Sequence, residues 1–316
     1  VNIVSKWKVL VTPRSFAANG SRPLDMLKDR GCEVVLNPFG RILEKREMME
    51  LIRGMDAVIV GVDPLDGEVL AQADRLKVIS KYGVGTDNID LAAAERRGIR
   101  VTVTAGANTE AVADYTMALM LAAARRIIPI DRRCRHLDWS KMTAVDVWSK
   151  TIGIVGLGAI GQGVARRAQG FNMRVLAYDI VQDEAYAARH GIRYVPLREL
   201  LTEADFVSLH LPLTEQTYHL IGAEELRLMK PHAVLVNTAR GGLVDEKALI
   251  EALRNRRIWG AGLDVFEREP PEHRELLELD NVVLGSHSAA STFQAIENMG
   301  IMAAAHVLEA LEAPDA

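Results

Sequence analysis

Short apolar runs separated by amphipathic stretches dominate the chain. Residues 7–12 read as a strand, and the stretch 24–30 that follows reads as a helix that Gly31 can end. Strand-like runs recur at 33–36, 57–60, 77–80 and 100–104, with helical patterns between the earlier ones, and this alternation predicts an α/β fold. Residues 110–126, rich in alanine and carrying Met117, Leu119, Met120 and Leu121, predict a long buried helix. The pattern lapses into an irregular, basic, tryptophan-containing segment over 127–150 and restarts at Thr151. Strand candidates there are 152–155, 174–178, 206–210, 234–237, 260–264 and 282–284, the series a doubly wound parallel sheet requires. An apolar-faced helix over 293–311 completes the pattern.

A chain of 316 residues with 49% hydrophobic residues has the material for two domains, each with its own core. Its 38 basic and 42 acidic residues are spread along the sequence, so no polyanion-binding face is expected and nucleic acid is not an expected partner. The two cysteines, Cys32 and Cys134, have no second cysteine or histidine at metal-ligand spacing, which predicts unpaired thiols, a reducing compartment and no metal site. No apolar run approaches the ~18 residues that span a bilayer, and Ser5, Lys6 and Lys8 interrupt the apolar residues near the start. The expectation is a cytoplasmic protein with no membrane partner.

Gly156-Leu157-Gly158-Ala159-Ile160-Gly161 is a GxGxxG motif between a predicted strand and a helical pattern containing Val164, Ala165 and Ala168. Glycine there permits a tight turn and close approach of backbone to a pyrophosphate, while the helix N-terminus offers unpaired N–H groups. The next strand ends at Asp179, whose carboxylate can accept hydrogen bonds from a ribose diol and would repel a 2′-phosphate; Ile180 after it supplies no cation. The cofactor expected is NAD rather than NADP.

Three further segments follow predicted strands: Asn237 to Asp245 (NTARGGLVD), Gly262 to Pro270 (GLDVFEREP) and Gly285 to Thr292 (GSHSAAST). With Lys81 to Asp90 (KYGVGTDNID) and Gly106-Ala107-Asn108, they resemble the signature segments of the D-isomer-specific 2-hydroxyacid dehydrogenases, particularly members similar to D-3-phosphoglycerate dehydrogenase. The resemblance covers nearly the whole chain. It implies a Rossmann-type doubly wound sheet at 104–286, inserted into a smaller flavodoxin-like α/β substrate domain built from 1–103 and 287–316.

The chemistry asks for three groups. A forked, permanently charged guanidinium can hold a keto acid and polarise its carbonyl, and Arg240 is the candidate. An imidazole can give a proton to the nascent alkoxide or take one in the reverse direction, a role for His287. A carboxylate beside it favours the protonated ring and orients it; the resemblance assigns Glu269, with Glu267 as the rival two residues earlier. The resemblance also implies that Val84 and Gly85 bind the substrate carboxylate, that Gly156, Gly158, Ala159, Ile160, Gly161, Asp179, Thr238, Ala239 and Ala290 line the cofactor, and that Asp264 meets its carboxamide. The hydride comes from the nicotinamide.

Lys81, just before those glycines, stands where phosphoglycerate enzymes often carry arginine, and with Arg14 and Arg41 it is a candidate anion pocket. The function expected is therefore interconversion of a D-2-hydroxy acid and its 2-keto acid, with a 3-phospho or 3-sulfo substrate such as 3-phosphoglycerate. The alternatives are a glyoxylate/hydroxypyruvate reductase and a non-enzymatic, NAD-sensing corepressor-like protein. By resemblance, residues 127–150 form an arm embracing a second subunit of a homodimer, a reading to which Trp139 and Trp148 add weight.

Overall fold

The computed structural model describes residues 6–313; the outermost ends of the expected substrate domain, 1–5 and 314–316, lie outside the described residues. The chain divides into two compact units, Val1–Asn108 with Ser291–Ala316, and Thr109–Ala290.

In the first unit five parallel strands, β1 (Trp7–Val11), β2 (Cys32–Leu36), β3 (Ala57–Val60), β4 (Val78–Lys81) and β5 (Arg100–Val103), lie in the order β2-β1-β3-β4-β5. This is the flavodoxin-like order. Alternation along β1 sends Val9 and Val11 to one face, against Leu27, Ala303 and Val307, and Leu10 to the other, against Met48, Ile52, Val58 and Ile79. The helix Phe293–Glu312 thus covers a sheet made at the other end of the chain.

In the second unit seven parallel strands, β6 (Thr151–Val155), β7 (Arg174–Tyr178), β8 (Arg193–Tyr194), β9 (Phe206–Leu209), β10 (Val234–Asn237), β11 (Gly260–Leu263) and β12 (Val282–Leu284), run in the order β12-β11-β10-β9-β6-β7-β8. The chain enters at β6, moves outward to β8, then crosses back to β9, which makes the β6/β9 junction the switch point. Every residue of β6, β9, β10 and β11 is buried, as a parallel sheet covered on both faces demands. The helix Thr109–Ala124 covers one face through Ala113, Met117 and Met120, packed with Ile152, Ile154 and Phe206.

Each sheet is closed at its N-terminal edge by an aspartate. Asp56, before β3, accepts from the Lys8 N–H at 2.8 Å and from Arg75 at 2.9 Å. Asp205, before β9, accepts from the Thr151 N–H at 2.9 Å, from Lys230 at 2.8 Å and lies 2.9 Å from Nε2 of His232.

Two expectations are corrected. β8 adds a seventh strand that the pattern missed, because two residues on an edge carry no periodicity. The segment 127–150 is not irregular throughout: Ile127–Arg135 is a helix, with Pro129 tolerated in its first turn and no residue buried. The compact units divide after Asn108 and after Ala290, a few residues beyond the expected 103 and 286. The Thr104 N–H and hydroxyl both bond to Gly83, which keeps this turn with the first sheet. Residues 287–289 are held by Asp264 to the second.

Candidate active site

In the second unit the candidate residues follow the C-terminal ends of successive strands, the edge at which open α/β sheets bind ligands. Gly156 leaves β6 at φ +98°, and a Cβ there would lie 2.8 Å from the carbonyl carbon of His210. Only glycine fits. The turn it makes leads to Gly158, the N-cap of the helix Ala159–Gly170, so Ala159, Ile160 and Gly161 form a first turn whose N–H groups have no intrahelical acceptor. Asp179, at the end of β7, accepts from the Leu157 N–H at 2.8 Å and the Val181 N–H at 3.1 Å, and a carboxylate so held keeps acceptor capacity for a diol. These residues fit the pyrophosphate and ribose of NAD. His210 is partly exposed, yet packing around its ring pushes its pKa down to about 3, so the ring beside this turn is neutral.

Arg240 follows β10 on a turn fixed from inside by Asn237, whose side chain accepts from the Ala239 N–H at 3.0 Å and donates to the Arg240 carbonyl at 2.8 Å. The guanidinium donates to the Ala239 carbonyl at 2.7 Å. Gly241 lies against the main chain of Phe266 and Glu267 with no room for a Cβ, which brings the arginine turn onto the loop after β11. Thr238 is buried, its hydroxyl 2.8 Å from that of Thr116.

The loop after β11 carries both candidate glutamates, and geometry separates them. Glu269, joined to Pro270 by a cis peptide bond, places Oε2 2.8 Å from Nδ1 of His287, while its Oε1 accepts from the Phe266 N–H at 3.2 Å. Glu267 instead places Oε1 3.0 Å from Nε2 of His219. His287 and Glu269 are both partly exposed, with 41% and 37% of their side-chain surface accessible, which suits groups that exchange protons with a bound molecule.

His287 adopts φ +56°, a left-handed conformation that costs a non-glycine residue on the order of 1 kcal/mol or more. Asp264 holds it there. Its carbonyl accepts from the His287 N–H at 2.7 Å, and its two carboxylate oxygens accept from Ser288 and Ala289 at 2.9 and 2.8 Å. Asp264 is fully buried, and this burial raises its pKa against the opposing effect of the two N–H donors. Ala290, partly exposed, closes the same segment.

The remaining candidates lie in the first unit. Val84 is 43% exposed on the loop after β4, and Gly85 is partly exposed beside it. Lys81 is 4% exposed; its ammonium donates to the Gly61 carbonyl and, at 2.8 Å, to Asn88. Asn88 in turn donates to the carbonyls of Gly61 and Asp63. Arg41 is engaged by both carboxylate oxygens of Glu47 at 2.9 and 2.6 Å, and Arg14 donates to the Gly40 carbonyl at 3.2 Å. The three cations of the expected anion pocket are thus each engaged within the chain.

Sequence reasoning missed the supporting side chains: Asn237, Glu246, His219 and Asn88. Only Asn237 carried a local signal, an asparagine at a strand end that can bond its own turn two residues on. The others depend on contacts across the fold.

A family model described as "D-isomer specific 2-hydroxyacid dehydrogenase, NAD binding domain" matches residues 117–289. The chain is 48% identical over 272 residues to a glyoxylate reductase of Korarchaeum cryptofilum, covering 84% of this chain and 82% of that one. It is 42% identical over 273 residues to a D-3-phosphoglycerate dehydrogenase of Methanocaldococcus jannaschii, covering 85% of this chain but 52% of that one. Among solved structures, a D-lactate dehydrogenase of Aquifex aeolicus complexed with NAD and lactic acid superposes with a TM-score of 0.84 at 32% identity, covering 95% of this chain and 94% of that one.

Proposed function

Because this chain belongs to the D-isomer-specific 2-hydroxyacid dehydrogenase family and is an NAD-dependent enzyme, we propose that it reduces glyoxylate or hydroxypyruvate to the corresponding 2-hydroxy acid. The observation that carries the choice of substrate is the burial of Lys81, whose ammonium donates to Gly61 and Asn88, which takes from a 3-phosphate or 3-sulfonate the cation the sequence placed next to the carboxylate-binding loop. A small keto acid needs no such cation. The glyoxylate reductase named among the relatives supports the same reading, more strongly than the phosphoglycerate dehydrogenase that this chain matches over about half its length. Relatives named glyoxylate reductase at 44–48% identity favour an enzyme over the non-enzymatic reading.

In this proposal Arg240 holds the keto acid and draws electron density toward its carbonyl oxygen, while main-chain N–H groups of Val84 and Gly85 take its carboxylate. The bond from Glu269 to Nδ1 of His287 leaves Nε2 to deliver the proton to that oxygen as the carbonyl carbon is reduced. NADH, when bound, supplies the hydride. Gly156, Gly158, Ala159, Ile160 and Gly161 cradle its pyrophosphate, Asp179 takes the ribose diol, and Thr238, Ala239, Asp264 and Ala290 line the rest of its site. Thr238 contributes main chain, since its hydroxyl is turned to Thr116.

The test is oxidation of NADH by the purified protein with glyoxylate, pyruvate, hydroxypyruvate, 3-phosphohydroxypyruvate, sulfopyruvate and 2-ketoglutarate. Preference for glyoxylate or hydroxypyruvate is expected; a clear preference for the phosphorylated or sulfonated acid sinks this substrate assignment.

A homodimer is part of the proposal. Leu137, Trp139 and Trp148 are 88, 80 and 63% exposed along the segment that follows the helix Ile127–Arg135, an apolar surface that a second copy would cover. Light scattering decides it: a dimeric mass is expected, and a monomer at micromolar concentration rules it out. The unpaired thiols, Cys32 and Cys134, support a reducing, cytoplasmic setting. Among the described residues no helix is long and apolar enough to cross a membrane.

A further inference from the structure

We propose that Glu246 and Glu267 form a reciprocal clamp that locks the loop bearing Glu269 onto the turn bearing Arg240, and that both are positioning residues for reduction of the keto acid. The proposal rests on the reading of Arg240, Glu269 and His287 given above.

Glu246 is the first residue of the helix Glu246–Arg254, which the arginine turn and its continuation Gly241–Leu243 reach through Val244 and the N-cap Asp245. Its Oε1 accepts from the Glu267 N–H at 2.6 Å, and Oε1 of Glu267 accepts from the Glu246 N–H at 3.0 Å. Each residue therefore binds the other's main chain through its side chain. The same Glu267 oxygen lies 3.0 Å from Nε2 of His219, whose N–H donates to the Gly242 carbonyl at 2.7 Å. Three segments that are distant in sequence meet at these two carboxylates, and Gly241 seals the junction against the main chain of Phe266 and Glu267.

Stability alone does not account for Glu246. It is 4% exposed, and burial pushes its pKa up against the opposing bond from the Glu267 N–H, while the charges of Glu267 and Glu269 add to the rise. An apolar side chain would fill such a space without burying an acid beside two others. What the glutamate provides is registration of the Glu269 loop against the arginine turn. Displacement of a reacting group by about 1 Å is enough to cost on the order of a hundredfold in rate.

The experiment compares Glu246→Ala, Glu246→Gln, Glu267→Ala and Glu267→Gln, each assayed with whichever 2-keto acid the wild type reduces best. Thermal melting, NADH binding by fluorescence and amide exchange of residues 266–269 are measured alongside. Glutamine keeps the acceptor oxygen and alanine removes it. The alanine variants are expected to lose about tenfold or more in kcat, with faster exchange at 266–269 and NADH affinity unchanged, and the glutamine variants to recover most of both. Alanine variants that keep wild-type kcat and exchange and only melt earlier overturn the proposal, as do glutamine variants as impaired as alanine. Should Glu246→Ala not fold, Glu267→Ala carries the test, because Glu267 is the more exposed member. Amide exchange reads the clamp without turnover, whereas a wild type inert toward every 2-keto acid overturns the functional reading and the catalytic half of the proposal with it.

Discussion

Oε2 of Glu269 stands 2.8 Å from Nδ1 of His287, whereas Glu267 on the same loop turns to a different histidine, His219. Two Glu–His pairs thus arise from one loop, both with a left-handed histidine, and only the segment of His287 is anchored by Asp264. His287→Ala is expected to lower kcat by about a hundredfold or more, the usual contribution of a general acid. Glu269→Gln, which keeps the shape but not the charge, is expected to cost about tenfold or more, with little change in NADH affinity. Steady-state kinetics with the best 2-keto acid check both; a loss below about tenfold for His287→Ala refutes the proton-transfer role.

Lys81 gives a sharper division between two accounts of substrate choice. As a buried staple from β4 to Gly61 and Asn88, it orders the loop that carries Val84 and Gly85. Lys81→Met is then expected to raise KM for all 2-keto acids by a similar factor and to destabilise the fold by about 1.5–3 kcal/mol, the worth of a charged hydrogen bond. A KM increase confined to 3-phosphohydroxypyruvate would make Lys81 an anion ligand instead.

In the proposed site Asp179 selects the cofactor through its charge. Its carboxylate already accepts two main-chain N–H groups, so it is held in place at the end of β7 whatever occupies the site. Asp179→Ser combined with Ile180→Arg removes the repulsion toward a 2′-phosphate and adds a cation. The double variant is expected to raise kcat/KM for NADPH relative to NADH by about tenfold or more, roughly 1.4 kcal/mol; an unchanged ratio means that another residue reads the ribose.

The sheets were legible because their strands are short apolar runs at regular intervals, and β3, β7, β10 and β12 have the predicted bounds. The GxGxxG turn and the Arg240, Glu269 and His287 segments were legible because each follows such a run. Periodicity could not expose β8, with two residues, or the helix Ile127–Arg135, which buries nothing and so leaves no core-facing stripe to fix its register. Nor could it tell Glu267 from Glu269, which are separated by their histidine partners, or show that Lys81 points inward, since burial of an ammonium depends on the Gly61 and Asn88 oxygens that the fold brings to it.

Asp205 yields a prediction about stability that should leave catalysis untouched, because it lies at the N-terminal edge of the second sheet, away from the strand ends that carry the site. Burial by itself would raise its pKa, but the bonds from Lys230, the Thr151 N–H and His232 outweigh burial and hold it below the ordinary aspartate range. A carboxyl group that binds its proton less readily in the folded than in the unfolded chain stabilises the fold above the ordinary aspartate pKa. That contribution disappears as the pH falls through the ordinary value to the lower one of the folded protein. Asp205→Asn removes the charge, and with it the ion pair to Lys230 at 2.8 Å. It is expected to destabilise the protein by about 1.5–3 kcal/mol at neutral pH and by progressively less below pH ~4, so the melting curves of wild type and variant converge in acid. Melting temperatures measured from neutral pH into this acid range test it, with kcat at neutral pH as the control. A gap that stays constant with pH would mean that Asp205 acts through packing and not through its charge.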